Sequence, residues 1–268
     1  MLADAAYKDP ELSPDGSLLA VSSDDLRNGK RYIRLYDLTR RVSTRLTQDG
    51  SEETPLWSPD GKMIAYASRR ANSGYIYRVS ADGSKPPEAL AQGARMSPAH
   101  WSPDGRYLLY MNFEKGLPSI WLYDDKERKN LPLFPGAEAH FSPNGKWIAY
   151  SLRSGGSNSE VFVKAFPDTG VRIQISTSGA GQSRWSRDGQ KLFYIAPDRK
   201  LMVVDVDTKE KFAASAPRPL FQTHIIAPSY AYLQYDVSPS GDSFIINSLN
   251  PTSPLTLLTN WTADLRKN

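Results

Sequence analysis

The sequence has 268 residues, with 33 Lys and Arg against 29 Asp and Glu, a formal net charge of +4, a pI near 9.1 and 40% hydrophobic residues. It contains no cysteine, which excludes disulfides and thiolate metal sites, and it is long enough to bury a sizeable core. It holds no run of 18 apolar residues and no charged start leading into an apolar stretch, so neither a membrane-spanning helix nor a secretory leader is expected within it.

In chain order, the first strong signal is the turn Glu11-Leu12-Ser13-Pro14-Asp15-Gly16. An apolar run through Leu19, Ala20 and Val21 follows, then a strand-like run Tyr32 to Tyr36 and a short polar one, Ser43 to Leu46. The pattern returns at Leu56-Trp57-Ser58-Pro59-Asp60-Gly61, with runs at Ile64 to Tyr66, Tyr75 to Val79 and Glu88 to Leu90. It returns at His100-Trp101-Ser102-Pro103-Asp104-Gly105, with Leu108 to Tyr110, Ile120 to Tyr123 and Leu131 to Phe134. A looser copy, His140-Phe141-Ser142-Pro143-Asn144-Gly145, precedes Ile148 to Tyr150, Val161 to Phe166 and Arg172 to Ile175. The fifth, Arg184-Trp185-Ser186-Arg187-Asp188-Gly189, precedes Leu192 to Tyr194 and Leu201 to Val206. The sixth, Asp236-Val237-Ser238-Pro239-Ser240-Gly241, precedes Phe244 to Ile246 and Leu255 to Asn260.

The motif glycines at 16, 61, 105, 145, 189 and 241 are separated by 45, 44, 40, 44 and 52 residues. A unit of that length accommodates four short strands with their turns, and a fixed period in this range marks a repeat architecture. The reading is an all-β, six-bladed propeller with four-stranded antiparallel blades, a single domain over residues 1–268. The second run of each unit is apolar on both faces, as a strand sandwiched between neighbouring sheets requires. Where the chain ends, only Thr262 to Asn268 remains for an outer strand of the sixth unit. Either Leu2 to Tyr7 closes the ring as a short strand, or the sequence is part of a longer protein; the abrupt start of the first repeat favours the second.

Within the motif, Pro presets the first turn position, Asp or Asn hydrogen-bonds its own backbone, and Gly takes the left-handed conformation. This assigns a structural turn role to Asp15, Gly16, Asp60, Gly61, Asp104, Gly105, Asn144, Gly145, Asp188, Gly189 and Gly241, and no metal role to the aspartates. Trp57, Trp101, Phe141 and Trp185 share one repeat position, which favours packing between blades over a sugar-stacking ladder.

One ring escapes this logic. The position before the aromatic reads Glu11, Leu56, His100, His140, Arg184 and Asp236, polar in five of six copies on what should be the innermost strand. These side chains are candidates for a binding site at the mouth of the central channel. The plainer alternative is that they pair with one another or with channel water.

No nucleophile elbow, zinc-binding His-Glu-x-x-His, phosphate loop or EF-hand pattern occurs, and histidine is limited to His100, His140 and His224. No catalytic residue and no cofactor is expected. The cations are scattered through loops among acidic residues, as at Arg27, Lys30, Asp24 and Asp25, which argues against a nucleic-acid surface.

The six Ser-Pro-Asp-Gly units resemble the PD40, or WD40-like, repeats of TolB-type six-bladed propellers over nearly the whole chain. The second half, through Glu160-Val161-Phe162-Val163-Lys164-Ala165-Phe166-Pro167, the fifth motif and Asn260-Trp261-Thr262-Ala263, is similar to propeller regions of bacterial serine/threonine kinase-linked proteins. The chain carries no kinase motifs and no separate α/β domain of the kind found in TolB. The resemblance implies a bacterial, periplasmic or otherwise extracytoplasmic setting and a non-catalytic module that binds a protein or peptide, with a small molecule or metal ion in the channel as a further option. Because such blades serve several functions, two other readings stand beside it. One is a lyase or glycosidase using channel-mouth carboxylates with His100 or His140, with or without a divalent metal; the other is the accessory propeller of a serine peptidase.

Overall fold

Each motif turn closes an innermost strand and opens the next one. In the computed structural model, which describes residues 6–70, 73–153, 159–225, 233–248 and 255–259, the glycine N–H of all six turns donates to the carbonyl of the motif serine at 2.8 to 2.9 Å. The six glycines sit at φ between +69° and +75°, where a side chain is strained. In the first turn Ser13 Oγ donates to Asp15 Oδ1 at 2.6 Å and accepts from Leu18 N–H at 2.9 Å, so the serine and aspartate lock the hairpin.

The strands fall into antiparallel sheets in chain order. The first contains β1 (Ala6–Leu12), β2 (Leu18–Asp25), β3 (Lys30–Asp37) and β4 (Val42–Arg45). The second contains β5 (Glu52–Trp57), β6 (Met63–Arg70), β7 (Ser73–Ser80) and β8 (Glu88–Gly93). The third contains β9 (Met96–Trp101), β10 (Tyr107–Asn112), β11 (Ser119–Asp124) and β12 (Lys129–Pro135). The fourth contains β13 (Ala137–Phe141), β14 (Trp147–Arg153), β15 (Ser159–Ala165) and β16 (Arg172–Gln174). The fifth contains β17 (Gly181–Trp185), β18 (Lys191–Ile195) and β19 (Lys200–Asp207), with an outer edge split between β20 (Ala213–Ala214) and β21 (Arg218–Gln222). The last contains β22 (Tyr235–Val237), β23 (Ser243–Asn247) and β24 (Leu255–Thr259).

The architecture is an all-β propeller with four-stranded antiparallel blades. Among the described residues it has five such blades rather than the expected six, because the final repeat supplies a sheet of three strands. Residues Thr262 to Asn268 lie outside the described part, as do Leu2 to Ala5. Of the alternative closing strand from Leu2 to Tyr7, the described residues Ala6 and Tyr7 belong to β1, paired with Asp24 and Ser23 of β2 in the first blade. The outer edge of the fifth blade was not legible because Pro217 and Pro219 fall in an exposed stretch rich in alanine, without an alternating pattern.

The core is distributed. Each apolar cluster lies between two neighbouring sheets: Trp57 with Ala20 and Ile33, Trp101 with Leu56 and Ala65, Phe141 with Leu109 and Ile120, and Trp185 with Ala149 and Val161. Phe193 with Phe244, and Ile245 with Tyr7 and Leu19, complete the circuit through the last sheet. Burying these interfaces, at about 25 cal/mol per Å² of apolar surface, is what holds one blade against the next.

Candidate functional site at the channel mouth

The innermost strands run into the motif turns, so five of the six residues just before the motif aromatic position face the axis at the turn end of the ring. There Glu11, His100, His140, Arg184 and Asp236 all line one cavity of about 430 Å³. Its rim is formed by the motif turns, with Pro14, Pro59, Pro103, Pro143 and Pro239 at one repeat position and Arg187 where the fifth motif lacks proline. Leu56, the apolar member of the ring, is buried in the core between the second and third blades.

Arg184 organises the floor. It is 3% exposed, its Nη1 donates to His140 Nε2 at 2.6 Å and to the Ser183 carbonyl at 3.0 Å, and its Cζ lies 5.9 Å from the Tyr235 ring centre. Its Nε is 3.9 Å from Asp236 Oδ1. The Asp236 carboxylate is committed to backbone, accepting from Leu12 N–H and Val237 N–H, each at 2.8 Å. The rings of His100 and His140 lie 4.4 Å apart at 32°.

Burial sets the protonation states. Desolvation, reinforced by the Arg184 charge, lowers the His100 pKa to about 3 and holds that of His140 well below the ordinary histidine value. Desolvation and the neighbouring Asp236 push Glu11 well above the usual carboxylate range, and desolvation raises Asp236 against the pull of Arg184. The site is thus two neutral imidazoles, a carboxyl biased toward its neutral form, and one guanidinium. Glu11 Oε2, His100 Nδ1, and Nε and Nη2 of Arg184 are buried without a hydrogen-bond partner among the described residues. Among those residues no group of three or more His, Asp or Glu side chains is arranged to hold a metal ion.

A second polar layer lies deeper, seven residues before each motif glycine, at Asp9, Thr54, Glu138, Gln182 and Gln234. Asp9, Thr54, Glu138 and Gln182 stand at φ 52° to 56° in β-bulges of the inner strands. Their side chains reach the next blade: Asp9 accepts from Thr54 N–H at 3.3 Å, Glu138 from Gln182 N–H at 2.8 Å, and Gln182 from Gln234 N–H at 3.2 Å. In the third blade the equivalent residue is Pro98, which offers no N–H and no polar side chain. Thr54 Oγ1 therefore accepts from Ser97 Oγ at 3.2 Å, and the Glu138 N–H turns to Met111 Sδ at 3.3 Å. Asp9 also accepts from Leu233 N–H at 3.0 Å, tying the last sheet to the first. This layer was missed in the sequence, although its fixed spacing from the glycine was visible.

The motif turns also contact one another around the rim. A Cβ at Gly61 would lie 3.7 Å from Pro14, one at Gly145 3.6 Å from Pro103, and one at Gly189 3.6 Å from Pro143. The Asp60, Asp104 and Asp188 side chains each accept from their own motif serine, which accounts for their lowered pKa values. His224 is exposed on the chain after β21, outside the cavity lining.

No family model matches this chain. It is 26% identical over 207 residues to an uncharacterized protein of Agrobacterium fabrum, covering 70% of this chain and 69% of that one. It is 34% identical over 76 residues to the Tol-Pal system protein TolB of an Azoarcus species, covering 28% of this chain and 18% of that protein. The crystal structure of TolB from Acinetobacter baumannii superposes with a TM-score of 0.76 at 18% identity, over 92% of this chain and 62% of that one. An oligogalacturonate lyase in complex with manganese superposes at 0.61 with 16% identity, over 94% of this chain and 73% of that one. The chain therefore spans under two thirds of these two TolB proteins. In fold it is a TolB-like β-propeller.

Proposed function

We propose that this chain is a non-catalytic binding module: one six-bladed propeller domain over residues 1–268, with β22–β24 as its sixth blade, whose channel mouth recognises a protein or peptide. The observation that carries the reading is the ring of Glu11, His100, His140, Arg184 and Asp236 around one cavity, with buried donors and acceptors left without hydrogen bonds among the described residues. Such groups cost about 1–3 kcal/mol each when unsatisfied, and a ligand that pairs them recovers that cost. The cavity falls within the range of ligand sites. The likeness to TolB of the Tol-Pal system supports a bacterial, extracytoplasmic setting and PD40-type repeats. It gives no support to the kinase-linked side of the resemblance.

The test is site-specific photocrosslinking in the source cells. A photoreactive residue at exposed Pro59 on the rim should capture a partner, and one at exposed Leu131 on β12 should not. Capture that depends on His140 and Arg184 supports the reading; capture from Leu131 alone overturns it.

The rival reading is a lyase acting through His100 or His140. It draws on the neutral histidine pair and on the fold likeness to oligogalacturonate lyase. Release of unsaturated uronides from oligogalacturonate, with manganese added, would establish it in place of the binding module.

A further inference from the structure

The repeat breaks in one place in a way that bears on the ligand. At the two motif positions facing the cavity, the fifth unit alone carries cations at both, Arg184 on the floor and Arg187 on the rim. The other five units have proline at the rim position. We propose that the mouth takes an acidic peptide segment, one carboxylate seated on the free edge of Arg184 and a second acidic group within reach of Arg187. This rests on the reading of the mouth as a binding site.

The free edge is the decisive feature. Among the described residues Arg184 makes hydrogen bonds only through Nη1, to His140 and the Ser183 carbonyl. Nε and Nη2 remain buried without a hydrogen-bond partner among the described residues. Those two nitrogens form the side of the guanidinium whose parallel N–H bonds match the two oxygens of a carboxylate. Asp236 does not fill that role, since its oxygens already accept from Leu12 and Val237 N–H and its approach to Nε is 3.9 Å. Glu11, biased toward its neutral form, adds little repulsion to an incoming anion.

Arg187 is exposed and reaches across the last sheet's turn, donating through Nη1 to the Pro14 carbonyl at 2.7 Å. Among the described residues this is the one hydrogen bond of its side chain, which leaves other donors for the entrance. A sugar acid fits this cavity less well. Trp57, Trp101 and Trp185 are at most 8% exposed, so the cavity offers a pyranose little aromatic face to stack on. A rim of proline rings with two cations suits an extended chain bearing acidic side chains.

The experiment pans the whole chain against random heptapeptides displayed with a free C-terminus and, separately, with the C-terminus blocked. Enrichment of Asp and Glu in both formats supports a side-chain carboxylate; acidic enrichment confined to the free C-terminus supports a terminal one. For a synthetic copy of an enriched peptide, replacement of its acids by Asn and Gln should weaken binding to the wild-type protein about tenfold or more. Arg184→Gln should do the same, and Arg187→Pro, which restores the repeat residue, should weaken binding several-fold and flatten its salt dependence. Enriched peptides without acidic residues, or neutral copies that bind as tightly as acidic ones, overturn the inference while leaving the binding module in place. Failure to enrich any peptide overturns both. The neutral-copy measurement needs no mutant, so misfolding of Arg184→Gln does not protect the inference.

Discussion

Arg184 Nη1 donates to His140 Nε2 at 2.6 Å, which places the His140 proton on Nδ1 and keeps the ring neutral beside a fixed positive charge. The ring of His100, 4.4 Å from that of His140, shares that environment. In the folded state His100 titrates near 3 and His140 well below its ordinary value, whereas both titrate near 6.5 when unfolded. As pH falls below about 6.5, the unfolded chain takes up protons that the folded chain refuses, so stability is lost on acidification toward about 3. Each histidine should contribute a slope of about 1.4 kcal/mol per pH unit. Urea unfolding of wild type and of His100→Gln/His140→Gln, compared between about pH 4 and 7, measures this. Parallel curves would remove the argument.

Asp9 should act in the opposite sense. Burial raises its pKa from 3.8 to about 6, despite hydrogen bonds from Ser22, Leu233 and Thr54. Between those values the folded state binds the proton more tightly than the unfolded state, so this residue's contribution falls as pH rises from about 4 to about 6 and is level above. The difference in unfolding free energy between wild type and Asp9→Asn should shift against wild type across that window, at about 1.4 kcal/mol per pH unit.

Three indoles at one repeat position should respond differently to the same change. Trp57 Nε1 donates to the Glu11 carbonyl at 3.2 Å and Trp185 Nε1 to the His140 carbonyl at 3.1 Å, each bridging to the preceding blade. Trp101 Nε1 is buried without a hydrogen-bond partner among the described residues. Trp→Phe removes similar volume at each site, so Trp185→Phe should cost about 1 kcal/mol more than Trp101→Phe. Chemical denaturation of the two variants decides it, and equal losses would contradict the bridging role.

Two glycines with positive φ should also part company. Gly61 needs φ +69° but has room, the nearest atom to an added Cβ being 3.7 Å away on Pro14. Gly136, between β12 and β13, would place a Cβ 2.8 Å from the Tyr150 ring and 3.1 Å from the Ser151 carbonyl. Gly61→Ala should cost about 1 kcal/mol from backbone strain, and Gly136→Ala at least twice that, because a packed blade interface must shift. Thermal melts of the two variants provide the comparison.

The turns and most strands were legible from the amino acids because their causes are local. Pro14, Asp15 and Gly16 each satisfy a dihedral or hydrogen-bond demand within five residues, and the runs after them are apolar on both faces because every blade is covered on both sides. The ring from Glu11 to Asp236 was visible as a break in the repeat, since a polar residue at a fixed position needs no neighbour to be noticed. Its chemistry was not visible. That Arg184 pairs with His140 in the fourth blade and approaches Asp236 in the last sheet depends on how residues 44 and 52 positions apart are brought together by stacking. The deeper layer is more dependent still: Asp9 becomes a tie between blades only because a bulge turns its side chain toward Thr54 and the chain's far end brings Leu233 beside it. Local dihedral preference decides where a strand begins, whereas the protonation and pairing of these side chains follow from burial and long-range approach, which exist only once the ring is assembled.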